Sequence, residues 1–224
     1  MADIRLGNII IPDGVMLAPM AGAADYAMRT ICRDFGAPYA VTEMISAKAM
    51  TYKDKKTAVL AAIREGDTPL AVQLFGSEPD TLVAAARMVA DCSYAGCETA
   101  IKPAAVDINM GCPATKIVRN GEGSALMKSP ALAERIISSC ASALQNTGIP
   151  LTVKLRAGWE CNKNAVELAR IAEASGAAML CVHGRTREQQ YAPPVDLDII
   201  REVCRAVKIP VIGNGDIKCA ADAL

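Results

Sequence analysis

Seven short apolar runs recur along this chain at intervals of about 30 residues, and that rhythm restricts the fold more than any other feature. They are GVMLAP (14–19), YAVTEM (39–44), PLAVQLF (69–75), AVDINM (105–110), PLTVKLR (150–156), AAMLCVHG (177–184) and PVIGNGD (210–216). Between them lie stretches with helical spacing at 80–89, 131–144, 166–174 and 197–207. Ser77 before EPD, Ser129 before Pro130, and Asp196 before LDII are each a cap-type residue ahead of a helical run. Strands that read as apolar on both faces and alternate with helices predict a parallel sheet covered by helices.

An open doubly wound sheet and a closed (β/α)8 barrel both meet that description. The strand ends separate them. All seven runs finish in a polar or glycine-bearing cluster (APMAG, TEM, VQLFG, NMGC, KLRAGW, VHGRTR, GNGD). A barrel gathers every strand C-terminus on one face, whereas an open sheet gathers only those at its switch point. The expectation is therefore an α/β fold, a TIM barrel with about seven βα units. After GNGDI the chain begins a seventh helix and stops, so an eighth strand is expected outside it and the barrel is expected to be incomplete.

Composition narrows the function. With 224 residues, 52% hydrophobic, and 24 basic against 24 acidic side chains, the chain can bury one sizeable core, and no global charge draws it to nucleic acid. Nine cysteines without a C-x-x-C pair, and a single histidine, point to neither a disulfide framework nor a zinc site. No leader and no apolar run of about 20 residues is present, so the expectation is a cytoplasmic protein without a membrane span.

Several strand-end residues can carry chemistry. Lys154, on a strand packed with Leu151, Val153 and Leu155, either snorkels to solvent or stands as a fixed cation against a developing negative charge. Arg156 points the same way from the strand. His183 is either a satisfied structural residue or, followed by Gly184, Arg185 and Arg187, part of a site for an anionic or planar ligand. Gln73 must find partners within an apolar strand. Glycines flanking Asn214 suit a phosphate-binding turn, although such turns are common in βα proteins.

The segment DINMGCPATKIVRNGEGSALM (107–127) starts as a strand and then withholds a helix for about twenty residues, as binding loops and lids do. Its Cys112 is either inert or a proton donor, since an ordinary cysteine with pKa about 8.5 is mostly protonated at neutral pH. Lys116 and Arg119 are either solvated charges or contacts to an anionic backbone.

Taken together, LAPMAG, TEMISAKAM, AVQLFGSEPD, DINMGCPATKIVRNGEGSALM, VKLRAGW, VHGRTREQQY and VIGNGDI resemble the tRNA-dihydrouridine synthases, most of all the bacterial DusB-type branch. The resemblance implies residues 1–224 as the FMN-binding TIM-barrel catalytic domain of a longer protein with a C-terminal helical domain. It implies reduction of the C5–C6 double bond of particular tRNA uridines, with NADPH recharging the flavin. Pro19, Met20 and Ala21 would lie against the flavin, Gln73 would bond its ring, and Lys154 and His183 would face its polar edge. Asn214, Gly215 and Asp216 would form half of the phosphate site, and Cys112 would protonate C5 while hydride reaches C6. Asn109, Lys116, Arg119, Arg156 and Arg185 would contact the tRNA substrate. Two other readings stay open: another FMN barrel of the dihydroorotate-dehydrogenase type, and a non-catalytic fragment.

Overall fold

The computed structural model describes residues 2–94, 97 and 101–223. Its centre is a parallel sheet that curls into part of a barrel. In chain order the strands are β1 (Ile4–Leu6), β2 (Ile9–Ile11), β3 (Ala40–Val41), β4 (Ile45–Ser46), β5 (Leu70–Phe75), β6 (Ala105–Met110), β7 (Leu151–Gly158), β8 (Met179–Thr186) and β9 (Val211–Asn214). The curl runs β3-β5-β6-β7-β8-β9, with β4 also pairing with β5. The outer edge of β9 has no strand partner among the described residues, and its residues are only half-buried or exposed.

The first apolar run, 14–19, contributes less strand than its composition predicts. Only Leu17 pairs, in parallel with Ala40. The second run is broken in two. Ala40 stands opposite Leu70 and Ile45 opposite Leu74, so five steps on one strand face four on the other, a one-residue bulge at 42–44. An antiparallel hairpin of β1 and β2, turned at Gly7 with φ of 57°, precedes the barrel. Its Leu6 and Ile11 are buried with Tyr39, Val41, Ala71, Ala105 and Met179, which closes the N-terminal end of the curl.

Outside the sheet pack α1 (Tyr26–Asp34), α2 (Ala47–Thr51), α3 (Lys55–Ala61), α4 (Pro79–Ala90), α5 (Thr115–Val118), α6 (Pro130–Leu144), α7 (Ala165–Ala174), α8 (Leu197–Ala206) and α9 (Ala220–Ala223). Helices α4, α6, α7 and α8 lie side by side and bury Leu82, Val89, Ile136, Leu168 and Val203 against the outward Val72, Ile108, Val153 and Val182. Asp196 caps α8 by accepting from the amides of Asp198 and Ile199 at 2.9 and 3.1 Å. Ser77 does not cap α4. That helix starts from Glu78 with Pro79 in its first turn, and the Ser77 hydroxyl donates to Asn120 O at 3.2 Å instead. Ser129 precedes α6 without a side-chain cap bond; Pro130 leads the first turn, and the Ser129 carbonyl accepts from the amides of Leu132 and Ala133, both at 3.0 Å. The segment after β6 is more ordered than a bare loop: α5 and a 3-10 helix (Gly123–Lys128) fold within it.

Beside the first βα units lies a buried ion pair. Arg29 Nε and Nη2 donate to Asp67 Oδ1 and Oδ2 at 2.9 and 2.6 Å, and both residues are at most 3% exposed. Asp67→Ala would strand the guanidinium in the interior, so urea denaturation should show a loss of about 3–5 kcal/mol. Arg29→Met with Asp67→Leu should recover most of that loss; a single-variant loss below about 1 kcal/mol would show the pair to be dispensable.

Candidate active site

Parallel register fixes which side chains meet. Gln73, Asp107, Thr152 and Met179 are successive partners across β5, β6, β7 and β8. One layer higher, Asn109, Lys154, Cys181 and Ile212 are partners across β6 to β9. Above these, Arg156, His183 and Asn214 align across β7, β8 and β9. Since every second residue faces the same side, the inward wall of the curl is apolar at its base and polar towards the strand C-termini. Pro19, Tyr39, Asp107, Thr152, Lys154 and Cys181 line a small cavity within it.

The polar wall is closely bonded. Gln73 Nε2 donates to Asp107 Oδ2 at 2.7 Å, and Thr152 Oγ1 donates to Asp107 Oδ1 at 2.5 Å. Asn109 Nδ2 donates to Gln73 Oε1 at 2.8 Å. Lys154 Nζ donates to Asn214 Oδ1 at 2.9 Å. Burial pushes the Asp107 carboxyl up, against the opposing influence of Thr152, Gln73 and Lys154.

At the rim, Arg185 donates to both Asp216 oxygens at 3.0 and 2.6 Å and to Ala192 O at 2.8 Å. That guanidinium holds the Asp216 carboxyl below the usual range. His183 Nε2 lies 3.4 Å from Arg185 Nη1. Burial pushes the imidazole down to about 3, and Arg156, Lys154 and Arg185 add to the effect. His183 is thus neutral at physiological pH. Gly215, at φ of 127°, lies so close to this ring that a Cβ there would approach His183 Cδ2 to 3.0 Å.

The Cys112 segment is rooted in the same wall. Asn109 Oδ1 accepts from the amides of Gly111 and Cys112 at 3.1 and 2.9 Å. Arg156 Nε donates to Gly111 O at 2.7 Å, and its Nη1 donates to Thr186 O and Gln190 O at 3.1 and 2.7 Å. Ser124 returns to Cys112 O through its amide at 3.1 Å and its hydroxyl at 2.8 Å. Beyond that root, Lys116 and Arg119 are exposed on and just after α5.

Gln73, Asn109, Lys154, Arg156, His183, Arg185, Asn214, Gly215 and Asp216 therefore gather at one end of the sheet, with Cys112 on the segment anchored there. Met20 and Ala21 stand exposed just beyond Leu17, and Met20 is 57% exposed. Sequence reasoning missed Asp107 and Thr152. Their signal was available: Asp107 and Asn109 alternate with Val106, Ile108 and Met110, the period-two mark of a strand with one polar face. It also missed Trp159, flanked by Lys128 Nζ at 4.7 Å and Arg187 Cζ at 4.8 Å from its ring centre. Those residues are far apart in sequence.

The family model described as dihydrouridine synthase (Dus) matches residues 16–224. A Rickettsia conorii protein named "Probable tRNA-dihydrouridine synthase" is 42% identical over 222 residues, 98% of this chain and 63% of that protein. The tRNA-dihydrouridine synthase B of Pseudomonas putida is 39% identical over 219 residues, 97% of this chain and 61% of the relative. The chain thus spans less than two thirds of the length of these curated relatives. Among solved structures, the old yellow enzyme homologue of Zymomonas mobilis shares the fold, with TM-score 0.56 at 11% identity over 96% of this chain and 82% of that one.

The sole histidine allows a direct check of the wall's electrostatics. NMR signals of the His183 imidazole should stay flat from pH 8 to pH 5. Its unfolded value is about 6.5, so between there and about 3 the unfolded chain binds a proton that the folded chain refuses. Stability should accordingly fall as pH drops through that window. A midpoint near 6.5 in the folded protein would contradict this assignment.

Proposed function

The chain belongs to the dihydrouridine synthase family, and from that premise we propose that its barrel reduces the C5–C6 double bond of uridines in tRNA, using FMN and NADPH in the cytoplasm. The observation that carries the reading is the meeting of Lys154, neutral His183 and Asn214 at the strand ends, beside the rooted Cys112 segment.

The donor set fits a flavin mononucleotide. A cation and a neutral imidazole suit the ring's polar edge, and Gln73 offers both a donor and an acceptor. At Gly215 the bare backbone comes close to His183, and a side chain there would fill the approach. Asp216 would serve the phosphate through its backbone, because its carboxylate is engaged by Arg185. Pro19, Met20 and Ala21 would complete the cradle from the first strand. When bound, FMN would supply the hydride that saturates C6, with NADPH restoring it.

The chain's own residues have separate tasks. Lys154 stabilises negative charge that develops at the ring edge, an effect worth more in a walled site than in water. Cys112 gives its proton to C5 of the uracil. Asn109 holds the Cys112 amide, which keeps the donor at the wall. Arg156 and Arg185 shape the substrate side by fixing the loops after β6, β8 and β9. Lys116 and Arg119 meet RNA phosphates, which position the strand while the target base leaves its stack.

Cys112→Ala in the full-length protein should leave flavin reduction by NADPH intact while dihydrouridine formation, followed by mass spectrometry of tRNA nucleosides, falls about 10²- to 10⁴-fold. Unchanged turnover would remove the acid role. A protein that purifies without flavin and binds none would overturn the whole reading, and activity on free pyrimidines without RNA would redirect it to a dihydroorotate-dehydrogenase-type reaction.

A further inference from the structure

We propose that Asp107, together with Thr152, is a positioning residue that sets the direction of a hydrogen-bond chain running through Gln73 and Asn109 to the Cys112 backbone. The inference rests on the proposed function only in giving Gln73 and Cys112 their chemical tasks. Its geometry stands without it.

The direction is forced from the far end. Backbone amides can only donate, so the group facing Gly111 and Cys112 must be the Asn109 oxygen. The Asn109 amide nitrogen then faces Gln73, with Met44 Sδ at 3.9 Å as its other neighbour. Gln73 must present its oxygen there and turn its nitrogen to β6. At that position the chain needs an acceptor, and Asp107 supplies one. Either protonation state serves: a carboxylate accepts from both neighbours, whereas a carboxyl can donate to Thr152 Oγ1 and still accept from Gln73 on Oδ2. Gln73, Asp107 and Thr152 are 1%, 4% and 2% exposed, so bulk water cannot substitute for a lost partner.

Two consequences follow for the site. Gln73 has one N–H on its Asp107 side and one lone pair on its Asn109 side beyond those bonds, in that order and not the reverse. The Gly111 and Cys112 amides keep their acceptor on the wall only while the order persists. Reversal would aim the Asn109 amide nitrogen at two backbone N–H groups, donor against donor, and those two amides would lose their bonds while Arg156 and Ser124 still hold the neighbouring carbonyls.

Hydrogen exchange at the Gly111 and Cys112 amides tests this on the chain itself, with neither flavin nor RNA present. Rates are taken relative to the Leu168 amide in α7, so that general loss of stability cancels. Asp107→Asn should change the relative rate less than about twofold, because the Thr152 hydroxyl can rotate to accept from the new amide while its oxygen still faces Gln73. Thr152→Val alone should act as mildly, since Asp107 remains an acceptor for Gln73. Combined, they leave the new amide nitrogen without an acceptor, and the relative rate should rise about tenfold, far above the product of the single effects. Asp107→Ala should raise it about tenfold directly. All of the first three side-chain exchanges conserve volume, so the cycle survives if the alanine variant fails to fold. A double variant whose effect is only the product of the singles would overturn the proposal, as would unchanged exchange in Asp107→Ala. A flavin-free protein that still shows the coupling would sink the proposed function and leave the positioning role standing.

Discussion

The inner wall of the curled sheet is the constraint on which the remaining structure depends. In a parallel sheet bent towards closure, every second side chain faces an enclosed space that other inward side chains must fill. At the base this is done with Ala71, Ala105 and Met179, sealed by Leu6 and Ile11 of the hairpin. Nearer the strand C-termini the same positions become Gln73, Asp107, Asn109, Thr152, Lys154, Arg156, His183 and Arg185, all but Lys154 buried. Buried polar groups are stable only when bonded, and here most are bonded to each other. The result is a rigid polar surface at one end of an otherwise apolar core, which is what a site needs to hold charge without rearranging.

Charge is distributed unevenly in that wall, although the chain as a whole is neutral. Burial keeps His183 unprotonated, and Arg156, Lys154 and Arg185, which converge on it, add to the effect. The carboxyl groups sit apart from one another: Asp107, pushed up by burial, below the cations and Asp216 at the rim, the latter held by Arg185. An upper rim with surplus positive charge favours an anionic group or a transition state that gains negative charge.

The segment after β6 joins rigidity to reach. Its root at Gly111 and Cys112 is held by Asn109, Arg156 and Ser124, whereas its middle, with Lys116 and Arg119, faces solvent. Such a division fixes the backbone that carries the thiol and leaves Lys116 and Arg119 in solvent. The short helix α5 and the 3-10 turn explain why the segment fails to read as one helix: glycines at 121 and 123, with φ of 74° and 60°, interrupt it, and at Gly123 a Cβ would stand only 3.0 Å from Cys112 O.

The alternation of apolar runs and helical stretches determined by itself the parallel α/β class, and the polar strand ends marked the end of the sheet where the candidate residues gather, because both follow from patterns along the chain. Cap chemistry was only partly legible. Asp196 caps its helix, but Ser77 serves Asn120 instead, since a hydroxyl chooses its partner among whatever the fold brings near. Local pattern could not foresee that 14–19 pairs only at Leu17 or that 39–46 bulges, as both depend on how the neighbouring strand sits. Cys112, Lys154 and His183 were visible as candidates from residue type and place in the pattern. Their partners were decided by tertiary structure alone: Asp107 with Gln73 and Thr152, Arg156 with the Gly111 carbonyl, Arg185 with Asp216. Hydrogen bonds between residues 30 to 45 apart arise from strand register, and register is set by the packing of the whole sheet.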